Sequence, residues 1–150
     1  MESENWGTVW LWSIPLIVVT TVTHVLGLGY ITARVALGLN GWAKSRRFVP
    51  VLSVAMGLTV LLVTALHWIE ALIWAAAFLW LGALPDFKSA MLYSLSAITA
   101  YGHAHLFLRP RWQILGAIEA LNGMILLGLT IAFLFAMIQR IWQQHGSART

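Results

Sequence analysis

Pro85-Asp86-Phe87-Lys88-Ser89-Ala90-Met91-Leu92-Tyr93-Ser94-Leu95-Ser96-Ala97-Ile98 is the stretch whose reading decides the fold. Pro-Asp is a helix-start signal, and the apolar pattern behind it lasts only about 12 residues, too few to cross a bilayer and typical of a re-entrant or interfacial helix. An irregular stretch follows from Thr99 to Arg111, containing Tyr101-Gly102-His103-Ala104-His105 and Arg109-Pro110-Arg111. Non-helical backbone at membrane depth is tolerated only where protein buries it or where it lines a watery path. A short helix and loop set between two long apolar runs therefore predict a pore.

Those runs are unmistakable. Upstream, Phe48 to Leu84 gives about 37 residues, too many for one perpendicular span and too few for two spans and a turn, so it reads as one tilted helix. Downstream, Trp112 to Trp142 is another span, followed by a short polar tail that is expected to fray. A third run, from about Val9 to Leu39, precedes both, with Pro15 in its first turns, where a missing backbone donor costs least. Between this run and Phe48 lies the basic connection Trp42-Ala43-Lys44-Ser45-Arg46-Arg47. Residues 1–47 then form a peripheral span and its loop, 48–142 a pore module, and 143–150 a tail.

Composition agrees. The chain is 60% hydrophobic and 9% charged, against about a quarter charged in soluble domains. Mean hydropathy is +0.81. Lipid is its main solvent, and the 150 residues leave no space for a soluble regulatory domain. The absence of cysteine excludes disulfides and thiol chemistry. A net charge of +4 comes largely from loop cations, so no nucleic-acid partner is expected. The acidic start, with Glu2 and Glu4, is unlike a signal peptide, and the first span is expected to be retained as an anchor.

Orientation follows from the cations. Arg34, Lys44, Arg46, Arg47, Arg140 and Arg149 fall on one side, against Lys88, Arg109 and Arg111 on the other. The rule that positive loops stay inside places the C-terminus in the cytoplasm and the N-terminus outside, in a cell inner (plasma) membrane. Trp6, Trp10, Trp12, Trp80 and Trp112 then mark the outer interface, and Trp42 and Trp142 the inner one.

Gly82-Ala83-Leu84-Pro85-Asp86-Phe87, Tyr93-Ser94-Leu95, the Thr99 to His105 loop and Gly116-Ala117-Ile118-Glu119-Ala120-Leu121-Asn122-Gly123 together resemble the two-transmembrane pore module of the potassium channel superfamily. The likeness is strongest to small prokaryotic three-span proteins of the two-pore-domain-like ion channel family. It covers about residues 64 to 142. The resemblance implies an all-α membrane protein with three transmembrane helices plus a re-entrant pore helix and filter loop, assembled as a homotetramer around a permeant monovalent cation, with potassium first, and needing no cofactor. Family members carry Thr-Thr-x-Gly-Tyr-Gly-Asp at the filter. An ungapped alignment sets Thr99, Ala100, Tyr101, Gly102, His103, Ala104 and His105 on those positions, with Thr99 and Gly102 matching. A one-residue deletion instead aligns Thr99, Tyr101 and Gly102 with the threonine, tyrosine and final glycine. In both alignments a histidine stands where the family has its aspartate.

The expected roles follow from position. Thr99, Ala100, Tyr101, Gly102 and His103 supply the conduction path, chiefly through backbone carbonyls. His105, Arg109 and Arg111 set the charge of the outer mouth, which acid makes more positive as histidine protonates. Glu70, Glu119 and His67 support the filter from behind, His67 being one turn from Glu70 on the same face. Gly123 and Gly128 serve either as gating hinges or as close-packing positions. His24 reads as a polar packing residue. No metal site and no enzymatic activity are expected. Function is then passive monovalent cation conduction, potassium or weakly selective. The alternatives are a non-conducting membrane subunit that keeps the scaffold, and a redox protein binding haem through His24 and His67.

Overall fold

The computed structural model describes residues 6–39, 48–102 and 106–147. The described residues form four α-helices and one 3-10 turn: α1 (Trp6–Leu39), α2 (Phe48–Trp80), α3 (Phe87–Ile98), the turn Pro110–Trp112, and α4 (Gln113–Ser147). Three of the helices, α1, α2 and α4, are long and apolar enough to cross a membrane. Their outward surfaces carry Leu11, Val18, Val22, Leu26, Leu58, Leu61 and Ile131, all exposed, as lipid-facing helices require.

Contacts fix the directions. Trp12 meets Trp80 edge to face at 4.7 Å, and Gly27 lies against Leu66, so α1 and α2 run antiparallel. Asn122 bonds Thr20, and Met137 shares a cluster with Val35 and Leu52, so α4 runs parallel to α1 and antiparallel to α2. The starts of α1 and α4 and the end of α2 therefore share one end of the bundle, where Trp6, Trp10, Trp12, Trp80 and Trp112 collect.

The second apolar run ends its helix at Trp80, four residues before the expected Leu84. Gly82 is the reason: its φ of +62° ends the helix, and the Ala83 N–H reaches the Phe78 carbonyl at 2.8 Å. Asp86 then caps α3, its carboxylate accepting from the Ser89 N–H at 2.9 Å and the Ser89 hydroxyl at 2.8 Å. At the other terminus α4 continues to Ser147, five residues past the expected end at Trp142.

The largest core surrounds α3. Ala90, Tyr93 and Ala97, at the three- and four-residue spacing of one helix face, and Ile98 beside them are buried against Ala71, Trp74, Ala75 and Phe78 of α2 and Leu115 of α4. Tyr93 stacks edge to face on Phe78 at 5.4 Å. Farther along the bundle, where α3 is absent, smaller clusters around Val63 and Leu66 and around Leu52 and Met137 join the long helices.

Candidate functional site

Two glycines of α4 set the path of α3. The Tyr93 hydroxyl lies where a Cβ of Gly116 would project, and the Ile98 backbone lies against Gly123. Both helices advance in the same direction. Gly123 is about 16 Å beyond Trp112 at 1.5 Å per residue, so the last turn of α3 lies about a third of the way along α4, at a depth of about half a 30 Å hydrocarbon layer.

There α3 closes. Thr99 is its C-cap, with the hydroxyl donating to the Leu95 carbonyl at 2.7 Å. Ala100 takes a φ of +54°, and the N–H groups of Tyr101 and Gly102 return to the Ser96 carbonyl at 3.0 and 3.4 Å. The left-handed conformation that Gly82 adopts freely at the end of α2 costs an alanine roughly 1–2 kcal/mol. Thr99, Ala100, Tyr101 and Gly102 are all exposed, Tyr101 at 87%. An open pocket of about 300 Å³ beside them is lined by Ala97, Ala100, Ala117 and Ala120 together with the larger Tyr93 and Gln113.

The chain then returns. Leu108 is buried, the Arg109 N–H approaches the Ala83 carbonyl at 3.5 Å, and the Arg111 guanidinium lies 5.4 Å from the Trp112 ring centre. Arg109 and Arg111 thus sit at the tryptophan-rich end beside the α2–α3 turn. His103 and His105, the other residues expected at the mouth and filter, lie outside the described residues.

The expected supports divide into two groups. Glu119 is buried beside Ser94 of α3, with neither carboxylate oxygen in an aligned hydrogen bond among the described residues. Glu70 faces α1. One of its oxygens lies 2.7 Å from His24 Nδ1 and the other 2.9 Å from His67 Nδ1. His24 and Glu70 have no solvent exposure. On the far side of the rings, Thr130 Oγ1 is 3.2 Å from His24 Nε2 and 3.2 Å from His67 Nε2. Nearby, Asn122 Nδ2 donates to Thr20 Oγ1 at 2.7 Å while that hydroxyl donates to the Leu16 carbonyl at 2.8 Å.

His24 is the residue that sequence reasoning undervalued. It is an ionisable group in the middle of an apolar span, and its cost there demands a partner. The ring centres of His24 and His67 are 5.2 Å apart and bridged by Glu70 and Thr130, which leaves no space for a macrocycle.

No protein-family model matches the chain, and comparison with curated proteins and with solved structures finds no match. Function rests on the residues and their arrangement.

Proposed function

We propose that the chain is the pore-forming subunit of a homotetrameric monovalent cation channel, potassium or weakly selective. One observation carries the reading: α3 leads the backbone about 16 Å along α4 from the tryptophan-rich end and leaves Thr99 to Gly102 uncovered by their own protomer. Bare irregular backbone at that depth needs protein cover or water. Four copies around an axis supply both, since each loop borders a central passage and packs on its neighbours. The C-terminal end of α3 would present its partial negative charge to that passage, which favours a cation. Arg109 and Arg111, with His103 and His105, would form the outer mouth, in a plasma membrane with the C-terminus cytoplasmic.

Purified protein in potassium-loaded liposomes, with subunit number measured by cross-linking, tests the proposal. Tetramers that leak potassium, with or without sodium, support it. A dimer or monomer, or tetramers in vesicles that stay sealed, overturn it.

The closed cap at Thr99 to Gly102 favours a second reading, a non-conducting membrane subunit that retains the channel scaffold. An extended filter offers successive carbonyls to an ion, whereas here the amides of Tyr101 and Gly102 turn back onto Ser96. Sealed vesicles containing intact tetramers are the result that selects it.

A further inference from the structure

We infer that His24, His67 and Glu70 form a binding site for a divalent first-row transition metal such as zinc, joining α1 to the α2–α4 pair. Ligand atoms of the three residues lie within 4.8 Å of one another, inside the apolar bundle. His67 and Glu70 are three residues apart on one face of α2, and α1 delivers His24 opposite them. Two imidazoles and a carboxylate make a donor set suited to zinc, with a fourth position open to the second carboxylate oxygen or a water. In a tetrahedral site neighbouring ligand atoms are about 3.3 Å apart. The 2.7 and 2.9 Å contacts, one to each oxygen of Glu70, would open by about half an ångström, and the separation of up to 4.8 Å within the cluster would close by about 1.5 Å, to admit the ion.

Proton accounting admits the metal. Both Nδ1 atoms face Glu70 and both Nε2 atoms face one hydroxyl, that of Thr130. If each neutral ring donates Nδ1–H to the carboxylate, both Nε2 atoms become acceptors, and Thr130 has one proton for the two of them. A cation on the Nδ1 side reverses both tautomers. Each Nε2–H then donates to Thr130, whose oxygen has two lone pairs to receive them, and the divalent charge offsets the buried carboxylate. Thr130 becomes the outer partner that metal-bound histidines ordinarily have, holding both rings in orientation. The competing arrangement satisfies the same groups with one extra ring proton shared through Thr130, and it binds no metal.

The test uses the full chain in detergent without a histidine tag, with His103, His105 and His145 replaced by alanine to remove other imidazoles. The protein is equilibrated with zinc or cobalt, desalted, and analysed for metal by mass spectrometry and for the visible bands of four-coordinate cobalt. The expected result is about one metal per chain, lost in His67→Gln and Glu70→Gln proteins whose helical circular dichroism is unchanged. Thr130→Val, which keeps the side-chain shape, is expected to weaken binding about 10- to 100-fold. Folded protein that retains no zinc and gives no cobalt spectrum overturns the site, as does metal binding indifferent to His67→Gln. The readout is metal content and not current, so failure here leaves the channel proposal standing, and the reverse also holds.

Discussion

At Gly123 the side chain is a hydrogen because the backbone of Ile98 stands where anything larger would go: a Cβ there would lie 2.5 Å from the Ile98 Cα. Gly128, five residues on, has open space around it within the protomer. The two glycines expected as hinges therefore differ in kind. Gly123 is a close-packing position, whereas a Cβ at Gly128 would meet nothing within the protomer. Gly123→Ala is expected to force α3 away from α4 and to cost about 1–3 kcal/mol. Gly128→Ala is expected to stabilise α4 by up to about 1 kcal/mol through helix propensity alone. Thermal unfolding of the two variants in detergent checks this, and equal effects would contradict the distinction. The buried polar residues follow a related logic. Thr20 and Thr59 each donate to the carbonyl four residues earlier, which satisfies a hydroxyl where no water reaches.

At the scale of the element, α3 depends on its caps. Its first turn is held by Asp86, whose carboxyl is kept below the usual aspartate range by the Ser89 N–H, then by the Ser89 hydroxyl. Because the folded state lowers this value, the charged cap stabilises fully above the ordinary aspartate value of 3.8 and is lost as pH falls through the lowered one. Asp86→Asn is expected to flatten the acid limb of a stability profile and to leave the neutral region nearly unchanged, since asparagine also caps well. Thermal melts between about pH 2 and about pH 7 measure it; an unaltered acid limb would show that Asp86 is not the group responsible. At its other end α3 relies on Ala100 in a conformation that suits glycine, so its exit is the more strained of the two.

For the whole molecule, the packing of one short helix against α2 and α4 makes the α3 exit the place where assembly would matter. If four copies share an axis, His103 and His105 repeat fourfold beside Arg109 and Arg111, and protonation near the unperturbed imidazole value of about 6.5 should repel entering cations. Cation flux into liposomes is expected to fall as external pH drops from about 8 to about 5, and less so in His103→Gln/His105→Gln protein; flux that is flat with pH would count against this mouth. Much of the fold was legible from sequence. Apolar runs of span length at Val9 to Leu39, Phe48 to Leu84 and Trp112 to Trp142, and the 12-residue segment behind Pro85-Asp86, fix the helices because lipid demands internally bonded backbone over a set thickness. Periodicity even placed His67 beside Glu70, since three residues along a helix is a local distance. Tertiary structure alone decided what His24 touches and which side of Glu70 is occupied. A contact between residues 24 and 70 depends on how α1 is rotated against α2, and packing around Leu66, Gly27 and Thr130 sets that rotation, whereas spacing within one chain segment does not.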